Sequence, residues 1–144
     1  MATFLAKIFS VLPGMPDGKN KILIVDDDAD FLEIISIKLK KAGFDTISAQ
    51  NGAMGVEAAK KEKPDLILMD VQMPVMNGVE AFFKLRNDPA TSKIRLVFLT
   101  NYGEADKDAK WLDDKFAREI GAQDYIKKTE DLATIVSEIK KILE

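Results

Sequence analysis

Between Lys21 and Leu143, short apolar runs alternate with segments whose apolar residues recur every three or four positions. Ile22–Val25, Leu66–Met69 and Ile94–Leu99 are near-continuous apolar stretches of strand length. Such runs, lacking the alternation of a half-exposed strand, predict strands buried on both faces. Thr46–Ser48 and Tyr125–Ile126 predict two shorter strands. Between them, Phe31, Leu32, Ile34, Ile35, Leu39 and Ala42 fall on one helical stripe, with Gly43 as a stop signal. Helices are predicted over Ala53–Lys60, Val79–Leu85, Ala105–Ile120 (closed by Gly121) and Leu132–Leu143. Five strand–helix units in succession predict an α/β fold: a parallel sheet covered by helices on both faces.

Residues 1–20 follow a different pattern. Phe4, Leu5, Ile8, Phe9 and Leu12 have helical spacing, Pro13-Gly14 ends it, and the stretch to Asn20 is turn-rich. The expectation is an N-terminal extension of a short amphipathic helix plus linker over 1–20, and a single domain over 21–144. The helix would cap that domain or dock a partner. A membrane-surface role is poorly supported, because Lys7 alone gives little attraction to anionic lipid.

Composition narrows the chemistry. The chain has 144 residues, within the size of one domain, and a net charge of −3, which argues against nucleic-acid binding through bulk positive charge. It has no Cys and no His, so thiolate metal sites, Cys nucleophiles and imidazole bases are excluded. Carboxylates, lysines, hydroxyls and backbone remain, a set suited to hard cations and phosphate. No apolar run approaches the length of a membrane span.

In parallel α/β sheets, ligands bind beyond the carboxyl ends of the strands. Asp26, Asp27 and Asp28 follow the first predicted strand, Asp70 the third, Thr100 the fourth and Lys128 the fifth. Crowded carboxylates repel unless a divalent cation neutralises them, and two or three with water suit Mg²⁺. A carboxylate beside such an ion can accept a phosphoryl group. Lys128 would pair with that carboxylate or with the phosphate, and Thr100 would hydrogen-bond a phosphoryl oxygen. Asp28 and Asp30 are expected to serve the N-terminus of the first helix, Asn77-Gly78 to form a turn before the third, and Met73 and Met76 to pack.

The segments "ILIVDDDAD", "PDLILMDVQMPVMNG", "VFLTN" and "GAQDYIKK" together resemble the receiver domain of two-component response regulators, over Lys21 to Glu144. The resemblance implies strand order 2-1-3-4-5. It makes Asp70 the phosphoacceptor, Asp27 a direct Mg²⁺ ligand, Asp26 a ligand mainly through water, and Gln72 a contributor of its backbone carbonyl. It makes Thr100 the switch hydroxyl, Tyr125 the aromatic switch and Lys128 the phosphate-binding lysine. Strand alternation agrees on the last point, since Tyr125 and Lys127 point one way and Lys128 the other.

The chain departs from the family pattern in three places. Thr129 stands where Pro usually follows the lysine, so a trans bond is expected there. Asn101 replaces a small residue after Thr100. The stretch from Thr100 to Gly121, with Trp111 and Phe116, is longer than the family's spacing.

The function so implied is a cytoplasmic phosphoacceptor switch, not an enzyme in the usual sense. It would be charged by a histidine kinase or phosphotransfer protein, and would bind an unknown downstream protein through the face of the fourth helix, fifth strand and fifth helix. No output domain is expected. Two alternatives differ in class. One is a degenerate receiver that docks partners without phosphorylation. The other is a haloacid-dehalogenase-like phosphatase using Asp26-x-Asp28, which lacks that family's following Gly-Thr or Val-Thr.

Overall fold

The computed structural model describes residues 18–100, 124–128 and 130–144. Five strands, β1 (Lys21–Val25), β2 (Asp45–Ala49), β3 (Leu66–Asp70), β4 (Arg95–Thr100) and β5 (Asp124–Lys127), form one parallel sheet in the order β2-β1-β3-β4-β5. Four helices are described: α1 (Ala29–Lys41), α2 (Gly52–Glu62), α3 (Gly78–Arg86) and α4 (Leu132–Leu143). The extension over 1–17, the predicted helix over Ala105–Ile120, Asn101, Trp111, Phe116 and Thr129 lie outside the described residues.

The pleat sorts the apolar strands into two cores. Leu23, Val25, Ile67, Met69, Leu96 and Phe98 face α2 and α3, where they meet Val56, Ala59, Ala81, Phe82 and Leu85. Their neighbours Ile22, Ile24, Leu66, Leu68, Val97, Leu99 and Ile126 face α1 and α4, against Leu32, Ile35, Leu39, Ile135 and Ile139. Successive side chains on a strand point to opposite faces, so a strand flanked by helices on both sides must be apolar throughout. That is why β1, β3 and β4 show no alternation in the sequence.

Helix starts follow local chemistry. The Asp28 side chain accepts the Phe31 N–H and caps α1, with Asp30 in its first turn. Asn51 caps α2 through Met54 N–H, Asn77 caps α3 through Val79 and Glu80 N–H, and Asp131 caps α4 through Thr134 N–H. Each satisfies donors that a helix leaves unpaired in its first turn.

Boundaries shift most where polar residues dilute the pattern. β2 extends from Asp45 to Ala49, two residues longer than the apolar signal predicts, because pairing along the whole of β1 (Lys21 with Asp45 through Val25 with Ala49) outweighs its polar side chains. β4 starts at Arg95 rather than Ile94 and runs through Thr100. No helix among the described residues is long and apolar enough to cross a membrane.

Candidate functional site

The carboxyl edge of the sheet carries the candidate residues. β1 runs into Asp26, whose N–H continues the ladder to Ala49 O at 3.0 Å. β3 ends on Asp70 and β4 on Thr100. One step beyond β5, Lys128 N–H donates to Thr100 O at 2.8 Å, so the fourth strand fixes the position of the lysine. Asp26, Asp70 and Thr100 are buried, whereas Asp27 is exposed. Strand parity splits the set. Asp26, Asp70 and Lys128 continue the rows that face α1 and α4, while Thr100 and Tyr125 continue the rows that face α2 and α3.

One carboxylate oxygen from each of Asp26, Asp27 and Asp70 lies within 4.8 Å of the others. This is a hard-oxygen donor set open to solvent on the Asp27 side. Burial, reinforced by the charges of Asp26 and Asp27, pushes the Asp70 carboxyl up to about 7, while Lys128 and the Val71 backbone N–H oppose the shift.

The lysine meets the acidic cluster on its Asp26 side. Lys128 Nζ lies 2.7 Å from Asp26 Oδ2, so the carboxylate it pairs with is that of Asp26 rather than Asp70. That oxygen is buried and has no directional hydrogen bond, so the ammonium is its close partner. The other oxygen, Oδ1, accepts Asp28 N–H at 2.9 Å. The ammonium also lies 4.7 Å from the centre of the Phe31 ring. Lys127 is exposed and Lys128 is not, as alternation from Tyr125 predicts.

The loop after β3 is held close beneath the site. Gly78 N–H donates to Val71 O at 2.8 Å, and a methyl group on Gly78 would overlap the Asp70 carbonyl oxygen. Gly52 N–H donates to Met76 O at 3.1 Å, and a methyl there would overlap that oxygen. Met73 and Met76 pack against the core on the α2/α3 face, and Gln72 is exposed at the start of the loop. Two participants have no forewarning in the sequence. Phe31 belongs to the apolar stripe of α1 and looks like an ordinary core residue. Val71 contributes through its backbone, which every residue carries.

Known proteins share this construction. The response regulator receiver domain family profile matches residues 22–140. Protein PilH of Pseudomonas aeruginosa is 36% identical over 123 residues, covering 85% of this chain and 97% of that protein. Sporulation initiation phosphotransferase F of Bacillus subtilis is 32% identical over 123 residues, covering 85% and 93%. Among solved structures, the chemotaxis protein CheY4 of Vibrio cholerae matches with a TM-score of 0.74 at 25% identity, covering 87% of this chain and 99% of that one. The chain spans about half the length of the transcriptional regulators it also matches. With sequence, strand order and acidic edge all in agreement, the chain belongs to the receiver domain family of two-component response regulators.

Proposed function

We propose that this protein is a phosphoacceptor switch whose receiving group is Asp70. A carboxylate oxygen of Asp70 attacks the phosphorus of a phosphohistidine on a histidine kinase or phosphotransfer protein. The phosphorus–nitrogen bond breaks, and the imidazole leaves with its electron pair. The donor set fits Mg²⁺, which Asp27, Asp70 and the Gln72 backbone carbonyl would hold directly and Asp26 mainly through water. When bound, the ion supplies positive charge that offsets the negative charge of the transferring group.

The chain's own residues do the rest. Asp70 lies where its backbone is fixed by β3 and by the loop turning at Gly78. Lys128 brings a cation within reach of the cluster and meets a phosphoryl oxygen as a point charge. Thr100, at the end of β4, supplies the hydroxyl that follows the new charge. Tyr125, on the same face, responds to it, which biases the surface around β5 and the helices beside it toward a downstream protein. The reading places the protein in the cytoplasm and makes it a regulatory domain rather than a turnover enzyme. Residues 21–144 form the receiver and 1–20 an extension to it.

The observation that carries this reading is the meeting of three carboxylates from β1 and β3 with an ammonium from beyond β5 at one edge. The test is incubation with acetyl phosphate and Mg²⁺, followed by intact-protein mass spectrometry. The wild type is expected to gain one phosphoryl group and Asp70→Asn none. Equal incorporation in the variant, or none in the wild type, overturns the proposal.

A further inference from the structure

Lysine is a flexible side chain, and its useful position in a site has to be enforced by its surroundings. Lys128 stands one residue past β5, yet its side chain is only 10% exposed and its ammonium is held from two sides. On one side is Asp26 Oδ2 at 2.7 Å. On the other is the face of Phe31, 4.7 Å from Nζ to the ring centre, within the range where a ring quadrupole attracts a cation. The two sides are mechanically joined. Asp26 Oδ1 accepts Asp28 N–H, and Asp28 Oδ1 in turn accepts Phe31 N–H at 3.1 Å. The carboxylate that pairs with the lysine therefore also anchors the turn that carries the ring.

We propose that Phe31 is a positioning residue for Lys128: its ring and the Asp26 carboxylate hold the ammonium between them at the edge of the acidic cluster, and this placement governs how fast Asp70 takes up a phosphoryl group. The inference rests on the phosphoacceptor reading for its rate effect, but not for the placement itself. Phe31 also packs against the α1/α4 core, so a loss of packing has to be separated from a loss of positioning.

A double-mutant cycle with NMR separates them. Phe31→Leu keeps apolar bulk and removes the ring, and Phe31→Tyr keeps the ring. Uptake from acetyl phosphate with Mg²⁺ is expected to slow about two- to five-fold in Phe31→Leu, the size of a partly shielded cation–π contact, and to hold in Phe31→Tyr. In a Lys128→Ala background, Phe31→Leu is expected to change nothing further. An equal slowing in both backgrounds overturns the proposal. The second arm needs no phosphoryl transfer. Lys128 side-chain methylene protons are expected upfield, under the ring current, in wild type and Phe31→Tyr, and at ordinary positions in Phe31→Leu. Resonances that stay put in Phe31→Leu overturn the placement. A wild type that takes up no phosphoryl group counts against the phosphoacceptor reading and leaves this second arm to decide the inference.

Discussion

The Asp26 carboxylate faces two ways: one oxygen holds the Asp28 N–H, and the other holds the Lys128 ammonium. It also stands close enough to Asp70 to raise that residue's pKa. Asp26→Asn keeps the shape, removes one of the charges crowding Asp70 and releases Lys128 from its partner. The Asp70 carboxyl is therefore expected to titrate below about 7, read from its carboxyl ¹³C shift. The sign for stability in the cation-free wild type follows from linkage. A folded-state pKa above the ordinary 3.8 means that the native protein binds the proton more tightly. This group's contribution is fully present below that ordinary value and is lost as pH rises toward about 7. A divalent cation competes with the same proton, so apparent Mg²⁺ affinity is expected to climb with pH up to about 7 and then level off. A flat affinity across that range would contradict the assigned pKa. Val75 is 82% exposed yet holds a φ of 70°, a left-handed conformation that β-branched residues rarely adopt. Val75→Asn sacrifices little packing and is expected to stabilise by about 1 kcal/mol in urea unfolding.

At the scale of elements, the strands and caps were legible because their causes are local. Three apolar runs fixed β1, β3 and β4. Asp28 announced the start of α1 by residue type alone, whereas the capping of α3 by Asn77 emerged only from the structure. β2 was half-hidden, since its stability comes from lying along β1, and pairing leaves no mark on the residues of one strand. The tight turn between β3 and α3 was visible as Asn77-Gly78, but not the reason for the glycine, which is contact with the Asp70 backbone. Gly78→Ala is expected to displace the end of β3, costing about 1–3 kcal/mol by overpacking and impairing phosphoryl uptake although every site side chain is intact. Parallel urea unfolding and mass measurements check both effects. Thr91 shows how an irregular segment is secured. It is wholly buried in the stretch after α3, with its hydroxyl donating to Leu85 O at 2.8 Å. Leu85 O keeps the Asp88 N–H at 3.4 Å, so Thr91→Val removes the shorter of these two bonds and is expected to cost about 1 kcal/mol.

For the whole molecule, alternating strands and helices indicated a parallel sheet between two helical layers, and the two cores have that form. Strand order was beyond periodicity, because any right-handed winding of five such units satisfies the same pattern; it came from resemblance to the family. The acidic edge was legible as a set, since each member follows a strand. The pairing of Lys128 with Asp26 and its seat against Phe31 were not, because both depend on side-chain placement across elements distant in sequence. Since the site needs β1 and β3 in register, a cation that binds it favours the folded state. Mg²⁺ at about 100 times its dissociation constant is expected to add about 2.7 kcal/mol to unfolding free energy, and Asp27→Asn to abolish most of that gain. A thermal denaturation series over Mg²⁺ concentration reads both.

The strand order carries one more consequence, for the timing of local opening. β1 and β3 each have hydrogen-bonded strands on both sides, whereas β5 borders β4 alone among the described strands. The acids thus sit at the ends of strands fastened on both sides, and the ammonium follows one of the sheet's margins. Amide hydrogen exchange is expected to be slowest in β1 and β3 and faster in β5. A rearrangement at this edge is then expected to shift the cation relative to fixed anions, and the margin that shifts with Lys128 also borders the surface proposed to meet a downstream protein.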